Sequence, residues 1–250
     1  MSSIYNKIYD FCKVRNLGSC LNNGQEKTNR VKFIERLLNS EGISYYIDEF
    51  SINNTDNKYF NIIIEGTSSN MVIAHHDICN PNIDNANDNS ASIINLIALK
   101  KLLPNLRVVF TDGEEFGGIG SNRLSEQINN GDFGNIEYVL NVELSGIGGR
   151  NFFIGDYPGK LSDKIVSMFN CPIFRTPYND SVTIRKNGID SVVINPLPID
   201  LDGVSNLVHN GVPLNTKILF NCHTPKDTVD KISIEDMKVF TEEVLYEILK

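Results

Sequence analysis

The chain reads as an α/β three-layer sandwich, a central mixed and largely parallel sheet with helices on both faces. Short β-rich runs alternate with segments of helical periodicity, and several of those runs are apolar on both faces, as strands buried between two helical layers must be. Size agrees: 250 residues, 41% hydrophobic and 22% charged, can bury one sizeable core without disulfides or a structural metal, so a single domain over 1–250 is expected.

Taken in order, residues 2–15 and 29–41 carry apolar side chains at helical spacing, the second with Val31, Ile34, Leu37 and Leu38 on one stripe and Gly42 as its stop. ISYYIDEF, YFNIIIEG and NMVIAHHD follow, each bounded by the Gly, Ser, Asn or Asp clusters that flank strands. A helix from about Ser90 to Leu103 leads into the strand LRVVFTD. Next come a helix near 121–130, the strand IEYVLNVE, an amphipathic stretch near 160–169, the strand SVVINPL and a closing helix from Ser233 to Lys250. The Asn/Asp/Ser-rich stretches at 51–58 and 79–90 read as loops, and the sequence holds no repeat or low-complexity tract.

Charge narrows the partners. The 23 Lys+Arg against 31 Asp+Glu leave a formal charge of −8, which opposes attraction to phosphate backbones and anionic membranes. No run approaches the roughly 18–20 apolar residues of a membrane span, and the polar start MSSIYNKIYDFCKVRN lacks a signal peptide's apolar stretch, so a cytoplasmic protein is expected. Five cysteines (Cys12, Cys20, Cys79, Cys171, Cys222), odd in number and without CxxC spacing, read as free thiols.

Ligands of open α/β sheets bind beyond the carboxyl ends of the strands, and three apolar strands here end in chemistry-bearing residues. NMVIA runs into His75-His76-Asp77, LRVVFTDG into Glu114-Glu115 and IEYVLNV into Glu143. Each cluster alone has a plain reading: a satisfied core histidine, a surface pair of carboxylates, an N-cap for Asp88 or Ser90 in NDNS. Together, carboxylates at the centre of a sheet are costly to bury without a cation, and no Lys or Arg stands beside them in sequence. A bound metal answers that cost. In a strand, residues i and i+2 share a side, so Asp77 can hold the spare ring N–H of a metal-bound His75, while His76 faces the other way and is structural. Asp88 opens a helix where one carboxylate can bridge two divalent ions, and His223 lies in a loop before the last helix, positioned to return to the sheet edge.

The motifs VIAHHD, NDNSAS, FTDGEEFGGIGS, NVELSG and HTPKDT, in that order, resemble those of the zinc-dependent aminopeptidases of metallopeptidase family twenty-eight, and the resemblance runs from about residue 30 to the end. NDSVTIRKNGIDSVVI is similar to a further segment that supports the metal-site loop in that family. The resemblance implies a zinc-exopeptidase (phosphorylase/hydrolase-like) fold, one metal held by His75, Asp88 and Glu143, a second by Asp88, Glu115 and His223, Glu114 as general base and Asp77 keeping His75 in its tautomer. Successive positions lie 13 (His75 to Asp88), 26 (Asp88 to Glu114), 28 (Glu115 to Glu143) and 80 (Glu143 to His223) residues apart, spacings like the family's. Two His and three carboxylates form a borderline N/O set that suits Zn²⁺, with Mn²⁺ or Co²⁺ as alternatives.

Three positions depart from the pattern: Glu143 stands where these aminopeptidases usually have Asp, Ser92 replaces a usual Gly, and Cys222 replaces an aromatic before His223, which would set an exposed thiol beside the metals. Glu143 resembles the related dinuclear carboxypeptidases and deacylases. The implied activity is a dinuclear aminopeptidase acting on peptides with a free N-terminus. Its rivals are a dinuclear carboxypeptidase or deacylase, a non-enzymatic binding module, and a single-metal relative similar to glutaminyl cyclase. Loops around 150–160 and 195–215, the latter with His209, are expected to line the pocket.

Overall fold

An 8-stranded mixed sheet organises the computed structural model, which describes residues 2–14, 27–52, 57–196 and 221–250. Its strands are β1 (Tyr46–Ser51), β2 (Lys58–Ile64), β3 (Asn70–His75), β4 (Arg107–Thr111), β5 (Tyr138–Val142), β6 (Phe152–Gly155), β7 (Ile173–Phe174) and β8 (Ser191–Pro196), ordered β1-β2-β4-β3-β5-β8-β6-β7. The four central strands β4, β3, β5 and β8 run parallel, while β1 with β2, β2 with β4, and β6 with β8 pair antiparallel.

The central strands are apolar on both sides because both sides are covered. Val72, Ala74, Val108, Phe110, Leu140, Val142 and Ile194 pack into one layer of helices: α1 (Ser2–Tyr5), α2 (Ile8–Phe11), α3 (Asn29–Ser40), α4 (Ala91–Leu102), α6 (Lys160–Phe169) and the C-terminal helix. Met71, Ile73, Val109 and Val139, the alternate residues, meet α5 (Ile119–Asn130) and α7 (Asp180–Lys186) on the other. Every residue of α4 from Ala91 to Lys100 is buried, since β3 and β4 lie on one side and the N- and C-terminal helices on the other. Lys100 still finds carbonyl partners, donating to Glu65, Pro104 and Leu106 at 2.6–2.7 Å.

Helix α3 starts where Thr28 Oγ1 accepts from the Val31 N–H at 3.2 Å, and its expected stripe is buried. The described residues 2–14 depart from the single helix expected over 2–15, forming the short α1 and α2 with a turn between them. The closing helix is interrupted: α8 (Ile234–Val239), capped by Ser233, widens into a π-helical stretch at Phe240–Leu245 before α9 (Tyr246–Leu249). Sequence reading missed β6, β7 and α7, which are too short for a period to emerge.

Candidate metal centre

Parallel pairing brings the strand ends to one edge. His75, the last residue of β3, is level with Thr111 of β4, and Ile73 is level with Asn141 of β5, so two residues further on Glu143 stands beside His75. The His75 Nε2 to Glu143 Oε2 distance is 3.4 Å. Two amides hold the longer Glu arm: Asn89 Nδ2 donates to Oε2 at 2.8 Å and Asn141 Nδ2 to Oε1 at 3.1 Å.

Asp88 lies in a wide turn, Ala86–Ser90, that leads into α4. Asp227 pins this turn by accepting from the backbone N–H of Asn87 at 2.7 Å and of Asp88 at 3.1 Å. The Asp88 carboxylate thus sits between two imidazoles, Oδ1 at 3.1 Å from His75 Nε2 and Oδ2 at 3.1 Å from His223 Nε2. His223 Nε2 is also 2.9 Å from Glu115 Oε2. A left-handed backbone at His223 (φ 59°) presents this half-exposed ring to the sheet edge, a conformation that non-glycine residues adopt mainly where surroundings impose it.

Asp77 is wholly buried and joins two parts of the site. Its Oδ1 lies 3.4 Å from His75 Nδ1, and its two oxygens accept the backbone N–H groups of Glu114 at 3.2 Å and Glu115 at 3.1 Å. The following turn needs Gly118, whose φ of +71° and contact with Thr183 and Ser121 exclude a side chain. His76 turns away from the site, its Nε2 2.8 Å from the Phe60 carbonyl.

Burial, with Glu143, Asp180 and Asp77 nearby, holds the Glu114 pKa well above the carboxylate range despite His75. Burial likewise lifts Glu143 to about 7 and raises Glu115. Burial opposes charge on His75, yet Glu143, Asp77 and Asp88 outweigh it and raise its pKa. His223 is raised by its bonds to Asp88, Cys79 and Glu115. For Asp88, burial is overcome by His223 and His75, and its pKa falls. Acids are thus held by histidines and histidines by acids, a cluster in which a cation could take the place of the protons. One carboxylate oxygen of the cluster, Glu115 Oε1, is also buried without a hydrogen-bond partner, and a divalent ion would satisfy it. The residues therefore fit a divalent metal of N/O preference.

The cleft above these groups has a volume of about 510 Å³. His75, Asp88, Glu114, Glu115, Glu143 and His223 form its floor, and among the described residues its lining holds no Lys or Arg. Phe153, Val193 and Leu144 supply apolar lining, and Thr176 to Asn179 line the cleft as well. Of the segments expected to line the pocket as loops, Phe153 and Asn195 line it from strands β6 and β8 instead, and 197–220 with His209 lie outside the described residues.

Sequence reasoning missed three contributors, two of them, Arg30 and Asp180, buried and the third, Cys79, partly so. Arg30 of α3 supplies the cation that the local sequence lacks: its Nε donates to the His76 carbonyl at 2.7 Å, an Nη donates to Ser90 Oγ at 3.0 Å, and its guanidinium lies 4.0 Å above the Phe11 ring. Its distance in sequence, 46 residues before His76, hid it. Asp180, first residue of α7, accepts from Thr111 Oγ1 at 2.6 Å behind the site; only the NDSVTIRKNG stretch hinted at it. Cys79 gathers with Glu115 and His223. Cys222, expected as an exposed thiol, is instead only partly accessible, and burial raises its pKa. Ser92 bonds Ser145 Oγ at 2.7 Å, a packing role.

The profile of Peptidase family M28 matches residues 61–248. The chain belongs to that family. Membership makes it a metal-dependent peptidase by descent, as the motif order implied. A sequence comparison with curated proteins returns no match. Among solved structures, the chain resembles the LapA aminopeptidase of Legionella pneumophila (13% identity, TM-score 0.68, covering 100% of this chain and 71% of that one). It also resembles the zinc aminopeptidase BSAP of Bacillus subtilis (17%, TM-score 0.59, 80% and 52%) and an Acidobacteriales bacterium glutaminyl cyclase (18%, TM-score 0.69, 98% and 92%). At these identities the likeness is one of fold, and the expected α/β sandwich with its mixed sheet is the fold shared.

Proposed function

We propose that this M28 peptidase is an aminopeptidase that removes N-terminal residues with a dinuclear Zn²⁺ site and Glu114 as general base. The observation that carries the reading is Asp88, one oxygen 3.1 Å from His75 and the other 3.1 Å from His223, the arrangement of a carboxylate shared by two ions. His75, Asp88 and Glu143 would hold one ion; Asp88, Glu115 and His223 would hold the other. When bound, such a pair activates water and polarises the substrate carbonyl, the general two-ion pattern of aminopeptidases.

The protein's own groups do the remainder. Asp77 fixes the His75 ring and the Glu114-Glu115 backbone together, so base and ligands keep one geometry. Glu114 takes a proton from the attacking water on its carboxylate and returns it to the leaving amine, and burial makes that carboxylate a stronger proton acceptor than an exposed one. Among the described lining residues no Lys or Arg is placed to pair with a substrate carboxylate, which supports an aminopeptidase over a carboxypeptidase.

Zn²⁺-reconstituted protein should hydrolyse an aminoacyl-anilide and leave its N-acetylated form intact. Preference for the acylated substrate would instead support the deacylase reading. The coverage of nearly the whole glutaminyl cyclase chain favours one second reading, cyclisation of N-terminal glutamine at a single ion. A Gln-initiated peptide separates them: loss of ammonia with the chain intact signals cyclisation, and release of free glutamine signals hydrolysis.

A further inference from the structure

Cys79 lies in the loop after β3, four residues beyond His75, and neither the resemblance nor the family assignment gives it a role. Its sulfur and ligand atoms of Glu115 and His223 all lie within 4.8 Å of one another. Zn–S and Zn–N/O bonds of about 2.3 and 2.0 Å place neighbouring tetrahedral ligands roughly 3.5 Å apart, so these atoms can close on one ion with side-chain adjustments on the order of 1 Å. A second observation points into the same space: the Glu115 side chain is 5% exposed, and its Oε1 has no hydrogen-bond partner. Cys222, adjacent in sequence to His223, is absent from the cluster.

We infer that Cys79 is a thiolate ligand of the ion held by Glu115 and His223, and that this half of the site is built for Zn²⁺ rather than Mn²⁺. The inference rests on the metal site proposed above and adds a fourth donor to Asp88, Glu115 and His223. On binding, the S–H bond breaks, sulfur donates its electron pair to the ion, and the proton leaves to solvent. Soft sulfur favours Zn²⁺ and Co²⁺ over Mn²⁺ and Mg²⁺, and the added negative charge helps neutralise the second cation.

Co²⁺ reports thiolate ligation directly. The wild-type protein reconstituted with Co²⁺ should show near-ultraviolet thiolate-to-Co²⁺ charge-transfer absorption, retained in Cys222→Ala and lost in Cys79→Ser. Peptide mapping of the wild type after iodoacetamide treatment needs no variant: Cys79 should be alkylated in chelated protein and protected at least about tenfold when Zn²⁺ is bound. In metal competition, Cys79→Ser should lose most of the preference for Zn²⁺ over Mn²⁺. Binding of two Co²⁺ ions without the charge-transfer band, together with equal alkylation of loaded and chelated protein, overturns the thiolate assignment and leaves the carboxylate–histidine site intact. Failure to bind any divalent ion overturns both.

Discussion

Asp77→Asn is the most informative perturbation, because one buried carboxylate serves both His75 and the Glu114-Glu115 backbone. In the native protein its oxygens accept two backbone N–H groups at 3.2 and 3.1 Å and face His75 Nδ1 at 3.4 Å. A hydrogen bond to a charged group contributes about 1.5–3 kcal/mol, and an unmet buried donor costs about 1–3 kcal/mol. Asparagine keeps one acceptor oxygen and sets an NH₂ against a donor, so the substitution should cost on the order of 2–4 kcal/mol in all. Part will appear in folding and part in the site, where loss of a metal-orienting partner lowers affinity about 10–100-fold. Chelator competition measures that affinity, and thermal unfolding of metal-free protein gives the folding share. Metal affinity within twofold of wild type, with turnover unchanged, would refute the reasoning that Asp77 orients the site.

Further outcomes follow from the same geometry. His223→Ala should lower bound metal by one ion, read by elemental analysis after gel filtration; retention of both would remove His223 from the ligand set. Arg30→Met removes two hydrogen bonds and the contact with Phe11, and should destabilise the fold by about 3 kcal/mol or more in urea unfolding, because the acidic strand ends lose their buried cation; an unchanged midpoint would contradict that role. In chelated protein, burial raises Glu143 from 4.5 to about 7, so the stability from its bound proton is full below about pH 4.5 and is lost as pH rises through about 7. The raised pKa values of His75 and His223 act in the same sense, whereas Asp77 and Asp88, lowered, stabilise above about pH 4 and lose that contribution at lower pH. The thermal midpoint of chelated protein should therefore fall from about pH 5 to about pH 7.5, and the gain on adding Zn²⁺ should grow over that range; a gain independent of pH would contradict the proton-for-metal exchange.

Strand ends were legible in the sequence because the apolar runs stop abruptly at His75, at the residues before Glu114 and at Val142, and a parallel sheet carries those stops to one edge. Asp88 and His223 were legible through motif order, since spacing alone does not show that loops 135 residues apart converge. What stayed hidden depends on long-range packing. Arg30 reads as an ordinary residue of an amphipathic helix, and only the fold turns it beneath the site. Adjacency to His223 pointed to Cys222 as the thiol beside the site, whereas the loop path after β3 brings Cys79 to Glu115 and His223. The Thr176–Asn179 wall follows a strand of two residues, too brief for any periodicity to announce.

Turnover and metal content measured on the same preparation of Glu114→Gln test the proposed mechanism most directly. The amide keeps the size of the side chain and the backbone bond to Asp77 but cannot take a proton. Bound Zn²⁺ should equal that of wild type, and hydrolysis of an aminoacyl-anilide should fall by about 10²–10⁴-fold. Wild-type turnover with the ions in place would contradict Glu114 as the base.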